Sequence, residues 1–442
     1  MRCQRKKFIN FCVSNAYMDI ETLKLIIHEQ KDDVESRFRK ENIIERDIEK
    51  LFDLNKTKQV LTITGIRRCG KSTLAHLFLK KYKYAYINFD DERIESIKIS
   101  DMNKILEAFY QLYGNIDFII FDEIQNVLKW ELFITRLQQS KKIIITGSNS
   151  RLLSSELSTR LTGRHIDIIL SPFSFREFLR FRGLNYDIYL TADIAKIKNY
   201  LNEYLIRGGF PEGDDKYHVK SIYDDIITKD ILLRHNIKFR SVFKEFARLA
   251  VSSFSNEITY SNFKDILNVK SVHTIRNYLD VLEEVFLVFK LPKFSFKFKQ
   301  QIREPKKLYV VDNGIIDMLG FKFRENIGRI YENTVFLELK RRQSLNNMTE
   351  LFYYKTSQGH EVDFVVKRGV NVQHLIQVCY NIKDENVKKR EIRSLIQSSK
   401  DLRCKSLIII TGDYEAEEEI SWFGIERKIK FIPLWKWMLT DL

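Results

Sequence analysis

The chain has 442 residues, 44% of them apolar, which suffices for roughly two to four packed domains and excludes a disordered or fibrous protein. Lys and Arg (74) outnumber Asp and Glu (59), and the resulting +15 points to a polyanionic partner or an anionic membrane surface, nucleic acid first. The five cysteines, Cys3, Cys12, Cys69, Cys379 and Cys404, form no C-x-x-C pair, which argues against a zinc site or a disulfide framework and fits a reducing, cytoplasmic setting.

In chain order, residues 1–17 precede a second methionine, Met18, that opens a helical pattern, so they read as an upstream extension. From "KQVLTITGIRRCGKSTLAHLFLKKY" the pattern switches from strand to glycine-bearing loop to helix, and the strands "YAYINFD", "IDFIIFD", "KIIITGS" and "IDIIL" then alternate with helices to residue 170. That alternation predicts a parallel sheet covered on both faces. Residues 171–245 are mainly helical, 246–318 read helix, turn, helix and two short strands, and 319–442 mix helix and strand. Runs such as "DFIIF" and "SLIII" are strand-length, far short of the ~20 residues that cross a bilayer, so no membrane partner and no signal peptide are expected.

"GIRRCGKS", Gly65 to Ser72, matches G-x-x-x-x-G-K-[ST] between a strand and a helix. In such a loop the backbone of Gly65, Ile66, Arg67, Arg68, Cys69 and Gly70 turns its N–H groups toward phosphate oxygens, with Thr73 following at the helix start. Lys71 reaches the β- and γ-phosphates, and Ser72 offers a hydroxyl to Mg²⁺. Asp122 ends the strand "IDFIIFDE", where it can hold Mg²⁺, and Glu123 beside it can polarise the attacking water. The expected cofactors are ATP and Mg²⁺. Ser148 or Asn149, emerging from "IIITGSNS", would face the γ-phosphate.

With "LSTRLTGRHIDIILSPFSFREFL" and "YLIRGGFPE" added, the chain resembles the prokaryotic AAA+ ATPases that carry a C-terminal nuclease-like domain. The resemblance implies an α/β protein: an N-terminal extension and helix (1–38), an AAA+ P-loop core with a parallel sheet (39–170) and a helical lid (171–245). A winged helix (246–318) and a mixed α/β PD-(D/E)XK nuclease-like domain (319–442) follow. It also implies a homo-oligomer, a hexamer foremost, in which Arg164, or failing that Arg160, reaches a neighbouring subunit's nucleotide. Arg207 is a candidate phosphate sensor in the lid.

The winged-helix reading rests on "SNFKDILNV" and "SVHTIRNYLDVLEEVF", the second begun by Ser271 as N-cap, with Lys270, His273 and Arg276 at its exposed start. The stretch "KFSFKFKQQIREPKKLYVVD" alternates, predicting a strand with Phe294, Phe296 and Phe298 on one face and Lys293, Lys297 and Lys299 on the other. Residues 290–307 hold seven positive side chains against one negative, Glu304, a density suited to DNA phosphates.

Matched to the nuclease fold residue by residue, Glu332 in "YENTVFLELKRR" is the helix acid and Asp363 in "GHEVDFVV" the strand aspartate. Gln377 falls where the second strand acid would be, and Cys379 where the lysine would be. Lys367 or Lys383 could replace that lysine, and Glu361 could add a carboxylate if its strand is bulged. The overall expectation is an ATP hydrolase that binds or remodels DNA, with a C-terminal domain of little or no nuclease activity. The alternatives are a nucleotide-switch scaffold for a protein partner and an ATP-regulated DNA nuclease.

Overall fold

The computed structural model describes residues 19–52, 57, 59–150, 165–212, 215–320, 324–345, 348–422 and 424–440. Asp19 caps the first helix, α1 (Ile20–Lys40), by accepting from Thr22 N at 2.7 Å. Five strands follow: β1 (Val60–Thr64), β2 (Tyr84–Asn88), β3 (Phe118–Asp122), β4 (Lys142–Gly147) and β5 (His165–Ile169). They form one parallel sheet in the order β2-β3-β4-β1-β5.

Alternate residues of β1 to β4 enter different cores. Leu61, Ile63, Ile120 and Ile144 pack with Leu74 and Ala75 of α2 (Lys71–Leu79). Val60, Ile119, Phe121 and Ile145 pack instead with Ile26 and Ile27 of α1, Phe109 of α3 (Met102–Tyr113) and Ile134 of α4 (Trp130–Leu137). Burial on both faces explains why the strands read as continuous apolar runs.

Beyond the sheet come the helices Phe175–Phe181, Thr191–Arg207 and Lys216–Asp225, the last running into a π-helix, Ile226–Leu232. The helices Arg240–Ser252, Tyr260–Ile266 and Val272–Glu284 follow, beside a small sheet in the order β6-β8-β7. Its strands are β6 (Asn256–Ile258), β7 (Val288–Pro292) and β8 (Lys306–Val310). Ser271 caps its helix through His273 N at 3.1 Å.

The predicted strand through Phe294, Phe296 and Phe298 does not form. Pro292 lacks the N–H that would extend the ladder and ends β7, and Ser295 Oγ then accepts from Lys297 N at 3.2 Å, turning the chain into a short helix, Phe298–Arg303. Phe294 is buried against Phe352, whereas Phe296 and Phe298 stand in solvent, so the three rings do not share a face.

The chain ends in a six-stranded mixed sheet, order β13-β14-β12-β11-β10-β9, built from β9 (Thr349–Lys355), β10 (Glu361–Arg368), β11 (Asn371–Cys379), β12 (Leu407–Thr411), β13 (Ala416–Trp422) and β14 (Ile425–Pro433). The helices Ile327–Leu345, Glu385–Asp401 and Leu434–Leu439 accompany it. The pairing of β10 with β9 shifts register between Val362 and Val365, and this bulge lets both valines enter the same core.

Candidate nucleotide site and carboxylate cluster

A cavity of about 530 Å³ opens over the loop between β1 and α2. Arg67, Arg68, Gly70, Lys71, Ser72, Thr73, Asp122 and Glu123 form its polar lining, and Ile43, Ile44, Leu77 and Phe181 contribute apolar wall. Gly65 has φ +150°, and a Cβ there would lie 2.1 Å from the Leu170 carbonyl oxygen, so only glycine lets the loop pass β5. Ile66 and Cys69 are buried, so their contribution to the loop is backbone, and burial keeps the Cys69 thiol protonated.

Lys71 donates to the Ile66 carbonyl at 3.1 Å and lies 4.0 Å from Glu123. Asp122 accepts from Ser72, from Thr146 and from Tyr86 OH, the last at 3.1 Å. Burial, and then the charge of Glu123, raises the Asp122 carboxyl, the response of a buried anion short of a cation. Glu123 is partly buried, yet Lys71, Gln125, Arg234 and Arg67 outweigh the desolvation and hold it below its ordinary value, which keeps it an anion. It also adopts φ 50°, an uncommon conformation for a side-chain-bearing residue, at the strand end where its carboxylate enters the cavity. The donor set therefore fits a nucleotide phosphate with a hard divalent cation at Ser72 and Asp122.

Of the two sensor candidates, Ser148 is the one beside Glu123, its N and Oγ each 3.4 Å from the carboxylate. Asn149 corrects the expectation. Its amide donates to Glu284 at 2.6 Å, in the helix Val272–Glu284; neither sensor candidate lines the cavity, and Ser148 is the one that touches a residue that does. Arg164 and Arg160 lie outside the described residues. Arg207 pairs with Glu203 at 3.5 Å and is also absent from the cavity wall.

Three contributors had no signal in the sequence. Asp230, buried on the π-helix, binds Arg67 at 3.1 Å and meets Ser148 Oγ at 3.4 Å. Arg234 reaches Ser148, Asn126 and Asp230. Arg46 donates to the Cys69 carbonyl at 3.0 Å and to the Ser171 carbonyl at 2.7 Å while paired with Glu177, bracing the loop against the following helices. Arg68 pairs with Glu212 at 2.9 Å.

A second constellation lies in the C-terminal sheet. Glu332, Asp363 and Glu361 lie together there, Glu361 and Asp363 on the bulged strand β10. Yet all three surround the buried ammonium of Lys307, at 2.9 Å from Glu332, 3.0 Å from Asp363 and 2.5 Å from Glu361. Tyr309 OH donates to Glu332 at 2.7 Å. Burial would lower the Lys307 pKa, but Glu332, Tyr309, Asp363 and Glu361 raise it well above the usual lysine value.

Gln377, at the position of the second strand acid, is engaged at both ends of its amide: its oxygen accepts from Asp363 N at 3.2 Å and its nitrogen donates to Glu391 at 2.7 Å. Cys379 is buried, and its thiol is pushed up to about 12, so it supplies no charge. Lys367 pairs with Glu350 on the neighbouring strand. As arranged, the residues present fit an internal ammonium and do not fit a divalent metal ion.

Among the DNA candidates, Lys297 and Lys299 are exposed, Lys293 pairs with Glu304 at 3.0 Å, Lys270 is exposed, and exposed Arg276 lies 5.3 Å from the Tyr260 ring. No helix among the described residues is long and apolar enough to cross a membrane.

The parallel five-stranded sheet, the glycine loop after its strand β1 and the paired carboxylates define a P-loop AAA+ ATPase fold. A family model described as "AAA domain" matches residues 57–179, and two described as domains of unknown function (DUF8612 and DUF4143) match 198–325 and 327–437. The chain belongs to the family of the uncharacterized protein MJ1544 of Methanocaldococcus jannaschii, with 38% identity over 420 residues covering 91% of this chain and 92% of that one. An uncharacterized protein of Haemophilus influenzae is 27% identical over 400 residues, covering 86% of this chain and 95% of that one. Among solved structures, that of the Aeropyrum pernix ORC1 protein in complex with DNA aligns with a TM-score of 0.28 and 13% identity, covering 70% of this chain and 94% of that one.

Proposed function

We propose that the chain is a Mg²⁺-dependent ATP hydrolase whose nucleotide cycle is coupled to DNA. The observation that carries this reading is the meeting of Lys71, Ser72, Asp122 and Glu123 at one cavity. Lys71 would neutralise phosphate charge, Ser72 and Asp122 would hold the metal ion, and Glu123, kept anionic, would orient water for attack. Held by Ser72 and Asp122, Mg²⁺ would supply positive charge to offset that of the phosphates and of the Asp122 carboxylate. Ser148 is better placed than Asn149 to respond to the γ-phosphate, through Glu123 and Asp230.

The DNA partner is supported by the +15 charge and by the exposed cations Lys297, Lys299 and Arg303 of the basic segment, which follows the stretch whose sequence reads as a winged helix. The C-terminal domain serves binding or assembly in this reading. Lys307 holds both acids that a metal would need, and Gln377 and Cys379 replace the remaining acid and lysine. A homo-oligomer, a hexamer foremost, completed by Arg164 in trans, and a cytoplasmic location belong to the same proposal.

The test is ATP turnover with and without DNA. A DNA-coupled hydrolase accelerates when DNA is added, and a nucleotide-switch scaffold for a protein partner keeps its basal rate.

A further inference from the structure

The segment between β7 and β8 exposes apolar side chains that a folded domain normally hides. Phe296, Phe298 and Ile302 are 79%, 75% and 64% accessible, whereas Phe294 two residues earlier is only 6% accessible. The exposure does not come from a loose loop. Phe294 N donates to the Tyr353 carbonyl of β9 at 2.7 Å, anchoring the segment to the C-terminal sheet. Ser295 Oγ donates to Gln300 at 2.8 Å, and Gln301 donates back to the Ser295 carbonyl at 2.7 Å. The Phe296 ring rests edge-on against Phe294, with centroids 5.2 Å apart. Two aromatic rings are thus held outward by a folded scaffold, and a rigid apolar patch of this kind marks a contact surface.

Charge identifies what the patch contacts. Lys297 and Lys299 alternate with Phe296 and Phe298, and Arg303 follows Ile302 on the same short helix. All three cations are exposed, and none forms an ion pair among the described residues, whereas Lys290 and Lys293, at the base of the segment, are paired with acids. A second copy of the chain would bring three like charges onto three. Duplex DNA offers phosphates but stacks its base faces inside the helix. A single strand offers both an anionic backbone and free base faces, one of each per nucleotide, and aromatic rings set between cations match that repeat.

We propose that Phe296, Phe298, Lys297, Lys299 and Arg303 form a single-stranded nucleic acid site, with bases stacked on the two rings and phosphates held by the three cations. The inference rests on the DNA-binding reading and narrows it to the single-stranded form. Duplex approaches the same segment through its phosphates alone, so the two phenylalanines matter for a single strand and not for duplex.

The experiment is fluorescence anisotropy of the full chain with labelled oligothymidylate, oligouridylate, a hairpin duplex and an abasic deoxyribose phosphate strand. Phe296→Ala with Phe298→Ala should weaken oligothymidylate binding on the order of tenfold or more, since each stacked base is worth several-fold to a hundredfold. Duplex and abasic affinity should stay at wild-type values. Lys297→Glu with Lys299→Glu should weaken all of them. Equal binding of thymidylate and uridylate makes the site blind to the sugar, and a thymidylate preference makes it a DNA site; both keep the proposal. Both rings are exposed, so an unchanged melting temperature is expected and shows that the variant folds.

Unchanged oligothymidylate binding by the phenylalanine double variant overturns the stacking site, while the DNA reading stands on any duplex binding that Lys297 and Lys299 support. Binding to anionic lipid vesicles with none to any nucleic acid overturns both. A change of oligomeric state in the phenylalanine variant, read by light scattering, makes the patch a protein interface and overturns the inference.

Discussion

Lys307 on β8 places its ammonium 3.0 Å from the Asp363 carboxylate on β10, so a strand of the small sheet supplies the cation for acids of the C-terminal sheet. The pair is buried, and Glu332 and Glu361 share the same ammonium. Removing one partner of such a cluster strands the others without a counter-charge, which costs about 3–5 kcal/mol. Lys307→Met should therefore lower the unfolding free energy by an amount of that order, read as a lower urea midpoint at unchanged slope, and Mn²⁺ should recover part of the loss by taking the vacated place among the three carboxylates. An unchanged midpoint in the variant would contradict the arrangement.

The same geometry predicts that wild-type protein leaves supercoiled, single-stranded and four-way-junction DNA intact in Mg²⁺ and in Mn²⁺. Gel analysis beside Asp363→Ala checks this, and cleavage that vanishes only in the mutant would show that the acids do hold a metal ion.

His76 gives a pH dependence of known sign. It is buried on α2 with Nδ1 3.0 Å from Tyr84 OH, and burial, then Arg37 and Lys31, push its imidazole down to about 3 from an ordinary 6.5. The folded state thus favours the neutral ring. Its contribution is fully present above pH 6.5 and is lost as pH falls toward 3, by up to about 1.4 kcal/mol per unit. Carboxyls such as Asp312, raised to about 7 by burial, act in the opposite direction, so the comparison must be between variants. Urea midpoints at pH 7.5 and 5 should separate more for wild type than for His76→Gln.

Arg164 lies outside the described residues, and its role is tested in solution. An arginine supplied in trans is worth ~10³–10⁵ in rate. Arg164→Ala should lose turnover while keeping nucleotide affinity, and light scattering of the wild type with ATP should report a hexamer. A fully active monomer would remove the trans arrangement.

What was legible in the sequence was what local chemistry dictates. Gly65 to Ser72 must read as it does because the loop conformation and the phosphate contacts are made by consecutive residues, and Asp122 and Glu123 follow from a strand that ends in acids. Partners brought from far along the chain were hidden. Asp230, on the π-helix, and Arg234, in the turn just past its end, sit more than eighty residues beyond Ser148 in a segment whose pattern says nothing of nucleotide. Lys307 was counted in a basic run, although its two-residue spacing from Tyr309, another donor to Glu332, carried a usable signal. The phenylalanine alternation misled because a proline, one residue before the pattern begins, had already ended the strand.

The measurement that bears most directly on the central claim is a paired one on Glu123→Gln: ATP affinity by titration calorimetry with Mg²⁺, and turnover by phosphate release. Binding near the wild-type value with turnover abolished, beside a Lys71→Ala variant impaired in both, is the predicted result, because the glutamine keeps the shape of the cavity and loses only the anion that orients water. Turnover by Glu123→Gln at the wild-type rate would contradict the account.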